Sequence, residues 1–382
     1  MINQKKIYIG CGEDSRDGYV GCDIRSSKNV GIVCAAWDIS KHMENVEDIY
    51  SRHLLEHLTL NQVKYTLNDW YKALDYQGSV NIVVPNLSFH VDQLLNSKID
   101  EFHYSRYNLL DFRWAIAGLF GWQSEQYVGN NLPTKYWDVH KIGFTRSFLK
   151  NLLEETGFTN VTVDVVDDYH LHALGWKLSN NETVDAAIIK EIKDNIKKEA
   201  TKHNTYADIK KKLKEIGDLK SAITIYVTKD GSEMKLLNQD NNVIDSDIWH
   251  LSGTVTAPIK DVFFEECMWN YYTYGEFIMM LRELRRVLVE NGKISFSVFD
   301  LEQQLLELKS SENDSDGNNA FLKVIEQIYG NSEGREDLTT FAKVRKSGYT
   351  SNMIEFFCQR EKYTVQSIEK RDGKLFVVAS YC

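Results

Sequence analysis

Proline is almost missing from this sequence: three residues in 382, beside 22 glycines. That composition leaves no room for a stiff Pro-rich linker or a low-complexity spacer. Cysteine is sparse as well. The six cysteines (11, 22, 34, 267, 358 and 382) form no C-x-x-C pair and no zinc-finger spacing, so neither a disulfide scaffold nor a structural zinc module is expected. Long apolar runs are absent, which excludes a membrane-spanning helix by pattern. An excess of basic charge is absent too. With 45 Lys and Arg against 55 Asp and Glu, the net charge of −10 argues against a phosphate-binding surface and hence against nucleic acid as a partner. The chain enters its first strand with no leader-like stretch ahead of it, so the expected location is the cytoplasm, with thiols reduced. What remains is 43% hydrophobic and 12% aromatic residues over a length that suggests two domains, enough for two packed cores.

The most informative stretch is the first. Lys6-Ile7-Tyr8-Ile9 is an alternating strand pattern that runs into Gly10-Cys11-Gly12, and Val20-Gly21-Cys22-Asp23-Ile24 is a second short strand ending in an acid. Glycines allow a backbone to approach a ligand closely, and an acid after the second strand of an open α/β sheet can accept both hydroxyls of a ribose. A dinucleotide fingerprint would carry a third glycine and place its acid about 20 residues further on. Ser15 stands at the third-glycine position and Asp23 follows Gly12 closely, which argues for a nucleoside ligand without a pyrophosphate.

These two segments resemble motif I and the acidic motif of class I S-adenosylmethionine (SAM)-dependent methyltransferases. The likeness is to the bacterial branch with a very short first helix, met in glycan and secondary-metabolite pathways. The resemblance implies an α/β fold: a Rossmann-like class I methyltransferase domain. It implies SAM as cofactor, held by Ile9, Gly10, Cys11, Gly12, Asp23, Ile24, Ala36, Trp37 and His53. One departure stands out. The family's Asp-Ala-x-x-Leu segment, whose Asp holds the adenine amino group, has Ala35 in that place here, leaving backbone groups of Ala36 and Trp37, or stacking on Trp37, to bind the ring.

Downstream, Val46–Ser51 is a strand pattern that opens into Arg52-His53-Leu54-Leu55-Glu56-His57-Leu58, expected to begin a helix running towards Trp70. His53-x-x-Glu56-His57 also fits the zinc-binding pattern of two histidines four apart on a helix. In the resembling family the same place reads His-Val-Leu-Glu-His for structural reasons, so the expectation is no metal, with a zinc hydrolase through His53, Glu56 and His57 as a third reading. Related methyltransferases that hold magnesium use Glu-x-x-Glu-His, and His53 replaces the first Glu. Ser79–Val84 is a buried strand pattern ended by Pro85. From Leu87 to Trp137 aromatics and histidines crowd the chain and mark an acceptor pocket or a helical lid. His140, just before Gly143-Phe144-Thr145, is the first candidate for a general base, with His90 and His53 beside it. Residues 184–220 are Lys-rich with an apolar stripe at Ile189, Ile192 and Ile196, a helical insertion or arm. Ala222–Lys229 is expected to be the last antiparallel strand of a domain spanning 1–230.

Residues 231–382 repeat the first half imperfectly. Asp261–Glu266 echoes Asp48–His53, Gly292–Asp300 echoes Gly78–Asn86, and Lys346-Ser347-Gly348-Tyr349-Thr350 echoes Lys141-Ile142-Gly143-Phe144-Thr145. Trp269 and Asn270 stand where Glu56 and His57 stood. With no first strand, no glycine turn and no match to Asp23, this half reads as a truncated, degenerate methyltransferase-like α/β domain that does not bind SAM and serves scaffolding, dimerisation or acceptor binding. The function expected from the whole is methyl transfer to an oxygen of a sugar or glycan precursor, or a related small molecule. A non-catalytic SAM-binding or assembly protein is the alternative. A homodimer through the second domain or the 184–220 arm is the expected assembly.

Overall fold

The computed structural model describes residues 5–96, 112–121, 139–179, 183–202, 223–230, 233–237, 243–244, 259–311, 318–330 and 344–381. Much of the aromatic stretch (97–111 and 122–138), arm residues 203–220 and Trp249–Ser252 lie outside them. The chain divides into two compact units, Met1–Leu94 with His140–Asp208 and Ser332–Arg335, and Leu95–Val139 with Ile209–Asn331 and Glu336–Cys382. The sequence alone suggests one boundary at 230/231 with both domains continuous, whereas the units interleave along the chain.

The first unit holds β1 (Lys6–Ile9), β2 (Val20–Asp23), β3 (Val30–Val33), β4 (Val46–Arg52), helix α1 (Leu60–Ala73), β5 (Leu74–Pro85) and α2 (Leu87–Asn96). Helix α3 (Phe112–Phe120) belongs to the second unit. The first unit then resumes with α4 (Arg146–Thr156), β6 (Thr159–Val166), β7 (His170–Trp176) and α5 (Ala186–Lys202). Its seven strands lie in the order β3-β2-β1-β4-β5-β7-β6. The first five run parallel and β7 is antiparallel to both of its neighbours. This is the Rossmann-like α/β architecture expected from the sequence. Strands β1, β4 and β5 carry their buried apolar residues towards the centre of the sheet, as expected where both faces of a parallel sheet are covered. Ile7, Ile9, Ile49, Val80, Ile82 and Val84 are all buried. Helix α1 starts at a capping box in which Thr59 and Gln62 bond reciprocally, and it buries Val63, Leu67 and Trp70 along one stripe.

In the second unit, α3 is followed by β8 (Ile223–Asp230), β9 (Glu233–Leu237), β10 (Val243–Ile244), β11 (Ile259–Phe264), α6 (Tyr274–Val287) and β12 (Leu288–Phe299). Helices α7 (Leu301–Ser311), α8 (Asn318–Tyr329) and α9 (Ser351–Arg360) and strands β13 (Tyr363–Arg371) and β14 (Lys374–Tyr381) complete it. The strand order is β10-β9-β8-β11-β12-β14-β13. Residues 223–230 are therefore not the last strand of the first sheet, a place taken by β7. They run parallel to β11, as β1 runs parallel to β4, so the second sheet does have a first strand. It differs in what comes next: β8 turns straight back as a hairpin with β9, where β1 leads into the glycine turn. An aromatic cluster packs this unit, with Phe277 near Trp269 (5.1 Å) and Tyr349 (5.2 Å), and Phe120 of α3 near Tyr329 (5.8 Å).

One polar pair inside the first sheet sets an acid limit on stability. His172 on β7 is 1% exposed, and its Nε2–H donates to Asn81 Oδ1 on β5 at 2.6 Å, while Nδ1 has no partner. Burial pushes the ring down to about 4 from 6.5. The folded ring stays neutral while the unfolded one takes up a proton, so this contribution is complete above pH 6.5 and is lost as pH falls towards 4. Urea unfolding from pH 7 to 4.5 should show His172→Gln losing about 2 kcal/mol less stability than the wild type over that range. Parallel pH curves for the two proteins would mean that another group carries the acid loss.

Candidate functional site

At the carboxyl edge of the first sheet, Ile9 of β1 lies level with Cys22 of β2. Gly10 and Cys11 both donate their N–H to Cys22 O, at 2.8 and 3.2 Å, which folds the chain back sharply. Gly10 (φ +74°) and Gly12 (φ +56°) adopt left-handed conformations that a side chain would strain. Gly12 N–H donates to Asp23 Oδ2 at 3.0 Å and Arg25 N–H to Asp23 Oδ1 at 2.9 Å. Asp23 is buried; Arg25 Nε–H also donates to Oδ1 at 3.5 Å, and Oδ2 keeps a second lone pair for a further donor such as a ribose hydroxyl. Beside Gly12, a built Cβ meets only Arg25 Nη2 at 4.0 Å, so the space over this turn is open. Ile9 and Cys11 are buried around the turn and Ile24 is exposed just past Asp23. Ala36 is buried and Trp37 half-buried at the start of a short 3-10 turn, Ala36–Lys41. Helix α1 fixes that turn: Trp70 Nε1–H donates to Ala36 O at 2.8 Å, and Ser40 Oγ–H to Asp69 Oδ1 at 2.6 Å.

A second turn leaves β4 next to the first. Leu54 Cβ lies 3.0 Å from the position a Cβ on Gly10 would take, so the two turns touch. Residues 53–57 do not begin the helix, contrary to the expectation. His53 is left-handed (φ +50°), Leu55–His57 is a 3-10 turn, and the Thr59 capping box delays α1 to Leu60. His53 and His57 therefore do not share a helix face, and the zinc reading through His53, Glu56 and His57 loses its geometry. Instead, His53 Nδ1–H donates to Glu56 Oε1 at 2.9 Å.

Two elements far apart in sequence complete this turn. Lys141, fully buried, donates its backbone N–H to Glu56 O at 2.7 Å and its Nζ to His57 O. Burial holds its ammonium down at about 7. His140 comes with it, its ring 5.0 Å from that of His57. On the other side His170 packs edge-on to His53 at 4.7 Å and donates from Nδ1 to Asp167 at 3.0 Å. Burial pushes Asp167 up to about 6. Glu56 is 1% exposed. Burial pushes its carboxyl up, but the His53 hydrogen bond and the nearby His53 and His140 rings outweigh this, and it is held below the usual range.

Of the three candidate bases, the structure brings His53 and His140 to this turn through Glu56 and His57. His90 sits in α2, 3% exposed, with Nδ1 unpartnered, and burial pushes it down to about 3. A base that weak takes protons poorly near neutral pH. The sequence reading missed His170, Asp167 and Lys141. Lys141 carried a signal, since the same Lys precedes a Gly-aromatic-Thr in both halves; His170 carried none, because a strand pairing alone delivers it.

The two glycines separate strain from crowding. Gly10→Ala should cost about 1–3 kcal/mol, combining positive φ with the Leu54 contact, whereas Gly12→Ala should cost about 1 kcal/mol from φ alone. Denaturant midpoints would rank them; equal losses would show that Leu54 does not press on Gly10.

No family model matches the chain, and no curated protein matches it. Among solved structures, a Listeria monocytogenes protein described as an S-adenosylmethionine-dependent methyltransferase aligns over 46% of this chain and 92% of its own, at 16% identity and TM-score 0.29. The CurJ carbon methyltransferase aligns over 47% of this chain and 50% of its own, at 16% identity and TM-score 0.27. An O-methyltransferase family 2 protein from Planctomyces limnophilus, bound to apigenin, aligns over 36% and 33%, at 9% identity and TM-score 0.24. This chain thus spans half or less of the latter two. At such TM-scores the fold reading stands on the strand order and pairing themselves.

Proposed function

We propose that the first unit is a SAM-dependent methyltransferase acting on an oxygen of a small molecule or glycan precursor. The observation that carries this reading is the buried Asp23 carboxylate beneath the open glycine turn. A turn of this build accommodates a ribose diol and a ligand lying over Gly12, with no anion cradle for a pyrophosphate. Ile9, Cys11, Ala36 and Trp37 border the same edge. SAM supplies, when bound, an activated methyl on a sulfonium, so the protein's share is to align the acceptor and remove its proton.

His53 is the best placed base. Its Nδ1–H is committed to Glu56 Oε1, which fixes the tautomer and leaves Nε2 as the proton acceptor, and it lies on the turn that touches Gly10. His140 and His90 fit that role less well, the first being gathered with Glu56 and His57 and the second being buried and weakly basic. The acidic net charge and the aromatic stretch between 87 and 137 support an uncharged polar acceptor. The hairpin after β8 leaves no turn for a cofactor, which supports the second unit as a degenerate copy with a scaffolding, dimerising or acceptor-binding role. Ala35, where a carboxylate would hold adenine, favours one other reading, a SAM-binding protein without catalysis.

Calorimetric titration with SAM and S-adenosylhomocysteine decides the cofactor. One micromolar site per chain in the wild type, lost in a folded Asp23→Ala variant, is the expected result. Two sites per chain would make the second unit a binder, and no binding to either ligand would remove the proposal.

A further inference from the structure

We propose that Glu56, His57 and His140 form a site for one divalent transition-metal ion of the zinc class. Their candidate donor atoms all lie within 4.8 Å of one another. Donors on a shared zinc ion stand about 3.3 Å apart, so side-chain rotation closes the remaining gap. Two imidazoles and one carboxylate suit zinc, iron(II) or manganese better than calcium or magnesium, which take oxygen ligands. Three protein ligands also leave a coordination position for water or a substrate oxygen.

An independent observation points the same way. Glu56 is 1% exposed and its Oε2 has no hydrogen-bond partner, while Oε1 accepts from His53. An orphaned carboxylate oxygen inside a protein is costly and calls for an explanation. A cation bound at Oε2 satisfies it, with His53 as the outer partner that orients the carboxylate.

The second unit supplies the control, because it builds the same turn from other side chains. There Lys346 N–H donates to Asn270 O at 2.7 Å and Lys346 Nζ to Tyr271 O at 2.8 Å, as Lys141 does to Glu56 O and His57 O. Cys267 (φ +55°) takes the left-handed position of His53, and Thr273 with Glu276 repeats the capping box three residues on. Asn270 therefore matches Glu56, Tyr271 matches His57 and Arg345 matches His140. This shifts the sequence alignment of Trp269 and Asn270 by one. From the paired Asp48 to Glu56 is eight residues and from Asp261 to Asn270 nine, so the second turn carries one extra residue. Asn270 spends its side chain on the backbone, accepting from Phe299 N–H and donating to Ser347 O, both at 3.0 Å. Arg345 puts a cation where the first unit has an imidazole, its guanidinium 3.6 Å from the Phe299 ring centre. The turn and its lysine clamp thus form without Glu, His and His, so folding of the turn does not require those three side chains.

The inference does not depend on methyl transfer, and its test uses no SAM. Full-length protein stripped with a chelator is titrated with zinc against a chromophoric competitor. The expected result is one zinc per chain, with magnesium unable to displace it. His140→Ala and the triple variant Glu56→Asn, His57→Tyr, His140→Arg should each weaken binding on the order of 100-fold. The triple variant installs residues that the second unit accommodates in the same frame, and circular dichroism checks that it folds. His53→Ala should weaken binding by about 10–100-fold as an outer partner. Cys22 and Cys34, with sulfurs 3.5 Å apart, are the competing thiol pair, and Cys34→Ser should leave affinity unchanged. No zinc uptake by the wild type, or uptake lost in Cys34→Ser and kept in the triple variant, overturns the proposal.

Discussion

A single buried lysine holds the chemistry of the first unit in place. Lys141 reaches across from the segment before α4 and ties down two carbonyls of the turn that follows β4, at Glu56 and His57. Burying an ammonium is expensive, and its pKa near 7 reflects that cost. The return is a five-residue turn, left-handed at its first residue, that is neither helix nor strand. On this turn His53 bonds to Glu56, and His140, next to Lys141 in sequence, is drawn in beside Glu56 and His57. Helix α1 can start only after this turn, at Thr59, and Leu54 within the turn presses on Gly10. The clamp thus fixes the turn after β4, which touches the glycine turn, itself folded by its own bonds to Cys22 O and Asp23.

The second unit clarifies which parts of that edge are structural. It keeps the lysine, the left-handed residue, the capping box and the strand order, and it changes the side chains that would face a ligand. Where the first unit has a glycine turn, it has a hairpin; where the first has Glu, His and His, it has Asn, Tyr and Arg. Asn270 is absorbed by backbone bonds, while Glu56 keeps one oxygen without a hydrogen-bond partner. At the position shared by Asn270 and Glu56, the side chain is taken up by backbone in one unit and keeps an unpartnered oxygen in the other.

Much of the fold was legible from local pattern. The apolar positions within Lys6–Ile9, Val46–Ser51 and Ser79–Val84 marked these segments as strands, since β-branched and aromatic residues at such spacing suit a buried sheet. Thr145 begins its helix through a side-chain bond to nearby backbone, also a local matter. Gly10, Gly12 and Asp23 could be paired from spacing alone, since the turn that joins them is short. The strand at 223–230 was recognisable as a strand, but not its sheet. Its alternation fits either one, and the choice fell to the neighbour it could pair with in register.

The histidine turn shows the limit most clearly. His53, Glu56 and His57 at spacings of three and four are indistinguishable from a helical zinc motif while only the sequence is considered. Tertiary contacts decide otherwise: Val83 O accepts from His53 N–H, and Lys141 holds the carbonyls that a helix would have used. His170 and Asp167 reach the same edge through antiparallel pairing of β7 with β5, more than a hundred residues from His53. Local sequence by itself determined the strands, the glycine turn and its acid, because those depend on neighbours along the chain. Only the tertiary structure decided which histidines meet and which carboxylate oxygen is left without a partner, because those depend on contacts between segments that no spacing rule connects.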